Sequence, residues 1–503
     1  MQNNLLKNIE QHAFNSPEKI AINFEKTSLN YLQLLNNIKL LASYLSKDLK
    51  CKKGDRIAIL STNRIEYITL FYACIKLGTI LAPINWRLTN HETINIIKNI
   101  NAKILFIESD FKKNLEYIKS KIPKLKTIEI DLIPKTIKEN YQEQSFKNDN
   151  NNFNTTLLIV HTSGTTGKPK GAMLSQKAIY YNILNSIEMH QFKKSDHILT
   201  VIPLFHVGGL NIQTIPALHI GATVTIHKKF EIKKTFKSLE YLKPTFTVFV
   251  PTIMEVLIKS KNWSSSKFNS LRAITTGSTI VSPDLIKNYE KNKIPVIQGY
   301  GSTETSPIAV CQKLTEDREP YGNSGKPAKT TKVEIFDETR KIINSNAIGE
   351  VGIKGPNLFS GYWNDKDATN SVFYRGWFMT GDYAKKNKKG QFFIIGRKEN
   401  LIISGGENIY PAELEQTLLK ESEVKEAAVI GIPDKKWQEV PIAFLKIKDS
   451  NKFFESRILI NLQKKLSKFK MPKKLFKIDE IPKNALGKID YKLLKEYYNS
   501  FKK

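Results

Sequence analysis

Cysteine is scarce in this chain. Cys51, Cys74 and Cys311 are odd in number and far apart, which argues against a disulfide framework or a cysteine metal site and for reduced thiols. The eight histidines show no ligand-type pairing. Long apolar runs are also missing. The most membrane-like stretch, Tyr67–Ile84, is interrupted by Lys76, Gly78 and Pro83, so it reads as a buried helix, a turn and a strand. The opening MQNNLLKNIEQH has no signal-peptide core. Together these absences lead us to expect a cytoplasmic protein.

Acidic residues are outnumbered, 48 against 78 basic, for a net charge of +30. No arginine-rich arm, zinc-finger spacing or RNA-binding signature accompanies the excess. The bases are mostly lysines spread over the whole length, beside abundant Asn and Ile, and we read them as compositional bias rather than a nucleic-acid footprint. The same charge would favour weak peripheral contact with anionic bilayers. No internal repeat of fixed period is present.

At 503 residues the chain has room for two or more domains with sizeable cores. Over residues 1–150 strands alternate with helices, which argues for a largely parallel sheet. Leu29–Leu45 and Tyr67–Lys76 carry helical spacing, and Ile57–Leu60, Ile80–Pro83 and Ala102–Ile107 read as strands. Asn90-His91-Glu92 marks a helix start. A second α/β run spans 177–299: helices at Lys177–Met189, near 235–242 and from Thr252, and strands at Ala222–His227, Phe246–Val250, Leu271–Thr276 and Val296–Gly299. From 322 onward β-structure dominates, through Glu350–Ile353, Leu358–Trp363 and Gln391–Ile395. Beyond 400 a small α+β pattern follows: helices Ala412–Lys420 and Leu459–Leu466, strands Val424–Ile430 and Ile442–Ile447.

One stretch organises the chain. The apolar run Leu157–Val160 breaks into Thr162-Ser163-Gly164-Thr165-Thr166-Gly167-Lys168-Pro169-Lys170-Gly171. Three glycines allow close backbone approach to a ligand, and hydroxyls with two ammoniums suit phosphate oxygens. It is not a Walker loop, because only Thr165 and Thr166 separate Gly164 from Gly167-Lys168. Further elements follow in order: Pro203-Leu204-Phe205-His206, Thr276-Gly277-Ser278-Thr279, Tyr300-Gly301-Ser302-Thr303-Glu304, Trp377-Phe378-Met379-Thr380-Gly381-Asp382, Gly396-Arg397, Gly405-Gly406 and Gly487-Lys488. Singly, Glu304 is as well explained as a solvated carboxylate, Asp382 as a helix cap and Lys488 as a surface lysine.

Taken together, these elements resemble the adenylate-forming superfamily, and within it the AMP-forming acyl-CoA synthetases, over about residues 10–495. The resemblance implies a fold of α/β and α+β class. It has a large N-terminal AMP-binding domain, 1–399, of layered α/β sheets with a β-rich subdomain, and a small mobile α+β C-terminal domain, 400–503. It also implies a two-step reaction with ATP, Mg²⁺ and coenzyme A. Thr162, Ser163, Gly164, Thr165, Thr166 and Lys170 would bind the nucleotide phosphates, with Lys168 beside them, and Glu304 with Thr165 would hold the metal. Gly277, Ser278, Tyr300, Gly301 and Thr303 would surround the adenine, and Asp382 with Arg397 the ribose. Lys488 would act between carboxylate and α-phosphate, and His206 would line or gate the acyl pocket, with Gly208 and Gly209 leaving room for substrate. Asn400 stands at the hinge, where relatives have Asp or Lys, and keeps a tolerance for left-handed backbone. Gly405 and Gly406 would border the coenzyme A channel. The flanks of Lys488 depart from the pattern, lacking the usual Thr and Arg.

No Asp follows the PLFH segment, which disfavours an amino-acid substrate. Val207, Leu210, Ile212 and Ile308 suit an apolar tail, so a medium- or long-chain fatty acid ranks first. An aryl acid such as o-succinylbenzoate ranks second. A non-catalytic nucleotide or acyl binder is the reading from a different class.

Overall fold

The computed structural model describes the chain apart from residues 1–4, 134–152, 163–168, 280, 317, 345, 405–406, 436, 449–454, 464, 467–469, 485–487 and 502–503. It forms two compact units. The first comprises Met1–Val333 and Ile353–Phe378, and the second Glu334–Gly352 and Met379–Lys503.

Two sheets build the first unit. A six-stranded sheet runs in the order 126–129, 104–107, 56–60, 80–84, 156–162, 170–175. Its first five strands are parallel and the last pair antiparallel. The strands Ile80–Ile84 and Ile104–Ile107 are buried at every position, as parallel strands covered on both faces must be. A nine-stranded sheet runs from Lys326–Pro327 through 310–311, 296–300, 273–277, 246–248, 197–200 and 223–226 to 20–24 and 27–30. Its middle is parallel and its margins antiparallel.

The helix Ile65–Leu77 is buried on nearly every face, with Tyr67 and Phe71 fully enclosed. This explains its membrane-like composition. It stops at Gly78, whose φ of +69° is the left-handed cap that glycine adopts without strain. Among the described residues no helix is long and apolar enough to cross a membrane. The helix start expected at Asn90 is capped by Thr89, whose hydroxyl accepts from the Glu92 N–H while the Glu92 carboxylate accepts from the Thr89 N–H.

In the second unit the strands Val424–Asp434 and Gln438–Ile447 pair over a long antiparallel register. Side chains alternate across them. Ala427, Val429, Ala443 and Leu445 pack with Leu414, Leu418, Ile458 and Leu462 of two helices, while Ala428, Ile430, Ile442 and Phe444 pack with Ile481 and Leu494. A period of two thus buries both faces of one hairpin.

Candidate active site

The phosphate-loop candidate joins two antiparallel strands, Thr156–Thr162 and Lys170–Ser175, with Thr162 opposite Lys170. Ser163, Gly164, Thr165, Thr166 and Lys168 lie outside the described residues. The free edge of Lys170–Ser175 takes up residues 360–363. The Trp363 N–H donates to Gly171 O (2.8 Å), the Met173 N–H to Gly361 O (3.0 Å), and the Ser360 N–H to Met173 O (2.9 Å). This docking sets Tyr362 beside Lys170, whose Nζ lies 5.3 Å from the ring centroid, within cation–π range.

The same segment reaches the Glu304 turn. Tyr362 Oη donates to Glu304 Oε1 at 2.9 Å, and the Phe359 N–H donates to Glu304 O at 2.8 Å. Glu304 is buried, at 8 % exposure. The chain enters this turn from the strand Val296–Tyr300 through Gly301. A Cβ on Gly301 would sit 1.7 Å from Pro307 O, so no other residue fits. Three fully buried asparagines hold the far side of the turn. Asn357 Nδ2 donates to Thr305 O and Ile308 O (2.8 and 3.2 Å), Asn185 Nδ2 to Ile308 O (3.1 Å), and Asn182 Oδ1 accepts from the Ile308 N–H (2.9 Å). The adenine candidates converge next to it. Gly277 faces Gly299 across the parallel pair 273–277 and 296–300, and a Cβ on Gly277 would lie 2.4 Å from Gly299 O. Ser278 follows in the left-handed region, φ +69°. Gly277, Ser278, Tyr300, Gly301 and Thr303 therefore stand at neighbouring strand ends.

His206 closes the PLFH segment, and its Nδ1 accepts from the Gly208 N–H at 2.9 Å. The expectation that Gly208 and Gly209 leave room for substrate is corrected. A Cβ on Gly209 would lie 2.2 Å from Pro203 O, and one on Gly208 3.0 Å from His206 Nδ1, so the chain itself occupies that space. Asn63, which no sequence signal picked out, clamps this segment. Its Oδ1 accepts from the Leu204 N–H (2.7 Å), and its Nδ2 donates to Ile202 O and His227 O (both 3.0 Å).

In the second unit Asp382 and Arg397 face each other across the hairpin 377–386 and 392–397. Arg397 Nε donates to Asp382 Oδ1 at 2.6 Å, and Nη1 to Thr380 O at 3.2 Å. Asn400 ends a short 3₁₀ turn, Lys398–Asn400, and is not among the residues with positive φ, so the left-handed tolerance expected of it is not used here. Gly405 and Gly406 fall outside the described residues, between the paired strands Ile402–Ser404 and Glu407–Ile409. Lys488 is exposed. Its backbone closes a loop: the Asn484 N–H donates to Lys488 O (2.8 Å), and the Lys488 N–H to Asn484 Oδ1 (3.1 Å).

A buried carboxylate with one oxygen held by an aromatic hydroxyl is a donor that fits Mg²⁺, which takes one or two carboxylates and completes its shell with phosphate oxygens and waters, while a nearby ammonium suits phosphate oxygens. Glu304 is that carboxylate, held by Tyr362 Oη, and Lys170 lies against the Tyr362 ring.

Comparison with known proteins gives the arrangement a context. The family described as AMP-binding enzyme matches residues 9–363, and the AMP-binding enzyme C-terminal domain matches residues 413–488. An indoleacetate–CoA ligase of Aromatoleum aromaticum is 38% identical over 487 residues, covering 96% of this chain and 95% of the relative. ATP-bound MatB from Rhodopseudomonas palustris superposes with a TM-score of 0.93 at 28% identity, covering 100% of both chains. O-succinylbenzoate coenzyme A synthetase from Bacillus subtilis, in complex with ATP and magnesium ion, does so with a TM-score of 0.87 at 30% identity, covering 97% of this chain and 99% of that one.

Proposed function

This chain belongs to the AMP-binding enzyme family, and on that premise we propose that it activates an aryl or arylalkyl carboxylic acid for transfer to coenzyme A. The reaction class is that of an AMP-forming acid–CoA ligase, with ATP and Mg²⁺ as cofactors and coenzyme A as co-substrate. The acid's carboxylate oxygen attacks the α-phosphorus of ATP and pyrophosphate leaves. The thiol sulfur of coenzyme A then attacks the carbonyl of the acyl-AMP, and AMP leaves.

The observation that carries the choice of acid is the near full-length likeness to an indoleacetate–CoA ligase. The fatty-acid reading rested on Val207, Leu210, Ile212 and Ile308. Val207, Leu210 and Ile308 are almost fully buried, and Ile212 packs on a core cluster. Such burial is what core residues show whatever the substrate, so it does not favour a long flexible tail.

The difficulty of the first step is charge, because an anion approaches a polyanion. Fixed cations and donors offset it. Thr165, Thr166, Lys168 and Lys170 hold the outer phosphates, and Thr162, Ser163 and Gly164 bind the nucleotide beside them. Glu304 and Thr165 would hold Mg²⁺, which would supply neutralisation of phosphate charge. Tyr300 stacks on the adenine beside Gly277, Ser278, Gly301 and Thr303. Asp382, oriented by Arg397, accepts from the ribose hydroxyls. Lys488 stands between carboxylate and α-phosphate, where charge develops. His206 borders the acyl group. Asn400 is the hinge about which residues 400–503 move between half-reactions, and Gly405-Gly406 line the coenzyme A path.

The test is AMP release with and without coenzyme A over indoleacetate, o-succinylbenzoate, cinnamate-type acids and C8–C16 fatty acids. We expect kcat/KM for the best arylalkyl acid to exceed that for any fatty acid by at least about tenfold. A fatty acid leading by that margin overturns the choice of acid.

A further inference from the structure

Lys488 is exposed, and an exposed lysine has many rotamers. A residue required at one point in space needs its backbone held. At its base the two ends of the loop are joined by a short antiparallel bridge, Lys483 to Ile489, and by the Asp490 N–H donating to Pro482 O at 2.9 Å. Lys483 Nζ pairs with Glu426 Oε2 at 2.5 Å, on the strand Val424–Asp434. Ile481, just before the loop, is buried.

The leaving side carries a further anchor. Three residues after Lys488, Tyr491 begins the terminal helix Tyr491–Phe501. Its Oη donates to Glu415, 3.0 Å to Oε1 and 3.3 Å to Oε2. Glu415 belongs to the helix Pro411–Leu418 and is itself buried, at 9 % exposure. Its Oε1 also accepts from the Val429 N–H at 2.9 Å, in the middle of the central hairpin. One carboxyl therefore ties together a helix, a strand and the exit of the lysine loop.

A carboxyl buried against two neutral donors is expensive to keep. Burial pushes its pKa up to about 7, against the lowering by the Val429 and Tyr491 hydrogen bonds. A leucine or methionine would fill the same volume at lower cost, yet neither would accept the two hydrogen bonds. The group makes sense where the fixed direction of its bonds matters.

We propose that Glu415 and Tyr491 are positioning residues for the acyl-adenylation half-reaction, fixing the backbone from which Lys488 reaches the reacting atoms. The proposal rests on the assignment of Lys488 given above. It predicts an effect confined to the half-reaction that uses Lys488.

The experiment compares Tyr491→Phe, Glu415→Ala and Glu415→Gln with wild type in two assays on the full chain. One is acid-dependent ATP–pyrophosphate exchange, and the other is thioester formation from supplied acyl-AMP and coenzyme A. Lys488→Ala is run beside them. We expect Tyr491→Phe and Glu415→Ala to slow exchange on the order of ten- to a hundredfold while thioester formation stays within about twofold. Glu415→Gln, whose amide oxygen still accepts both hydrogen bonds, restores most of the exchange. Equal loss in both assays, tracking a lower melting temperature, means that the pair only stabilises the unit and overturns the proposal. So does Tyr491→Phe with unchanged exchange where Lys488→Ala has lost it. If Lys488→Ala itself exchanges normally, the assignment of Lys488 fails first and the proposal with it.

Discussion

Tyr362 and Glu304 lie 58 residues apart and are joined by one hydrogen bond, from the phenol Oη to carboxylate Oε1 at 2.9 Å. The bond leaves the carboxylate oriented while the ring faces Lys170. An outer partner of this kind fixes the direction of a metal-ligating oxygen, and its loss commonly costs about 10–100-fold in metal affinity or activity. We therefore expect Tyr362→Phe to raise the Mg²⁺ concentration needed for half-maximal pyrophosphate exchange by about tenfold. Direct titration with Mn²⁺ in the presence of ATP, read by paramagnetic resonance, should weaken in parallel. An unchanged metal dependence would separate Tyr362 from the site.

The assignment of Lys488 has its own signature. Lys488→Ala should abolish pyrophosphate exchange and largely spare thioester formation from supplied acyl-AMP. In the role proposed for it, the ammonium would offset charge building between carboxylate and α-phosphate in the first step. The second step, thiol attack on an anhydride, does not need it. Equal loss of both steps would count against the role.

Asn63 should matter for stability out of proportion to its size. Its side chain satisfies the Leu204 N–H and the carbonyls of Ile202 and His227, all buried. Truncation leaves these groups without partners, and Asn63→Ala is expected to cost about 3 kcal/mol. Urea denaturation of the two proteins reads this directly. A loss below about 1 kcal/mol would mean that water takes over the three bonds.

Glu415 predicts a pH dependence with a definite sign. Its folded pKa, about 7, lies above the ordinary 4.5, so the folded state holds a proton that the unfolded chain releases. The stability this proton contributes is fully present below pH 4.5 and is lost as pH rises through about 7. Wild type should therefore lose up to about 3 kcal/mol relative to Glu415→Gln between those values. Other titrating groups are common to both proteins and cancel in the comparison. Denaturation at pH 5 and pH 7.5 checks it, and parallel curves for the two proteins would refute it.

Much of the fold was readable because its strands are short apolar runs bounded by turn residues. The parallel core and the helices Ile65–Leu77, Gln176–His190 and Pro411–Leu418 fall where periodicity places them. The N-terminal helix Leu6–Asn15 and the hairpin Ile20–Asn30 were not foreseen. The hairpin owes its place to pairing with Thr223–Ile226, about two hundred residues on, and no local pattern encodes such a partner. The terminal helix Tyr491–Phe501 was likewise not foreseen, although its apolar residues do recur at helical spacing. At the candidate site the motif residues stood out by their chemistry. Tyr362, Asn63, Asn182, Asn185, Asn357 and Glu415 did not. Each is a single polar residue in an ordinary run, and its meaning lies in which distant backbone group it meets.

The measurement closest to the central claim is ATP–pyrophosphate exchange in the absence of coenzyme A, with indoleacetate as the acid. Exchange should need acid, ATP and Mg²⁺ but not coenzyme A, because acyl-AMP forms before the thiol takes part. AMP release should then become rapid once coenzyme A is added. Exchange absent with indoleacetate and with every other aryl acid, while fatty acids support it, would contradict the choice of acid. Exchange absent with all acids would contradict the adenylating reaction itself.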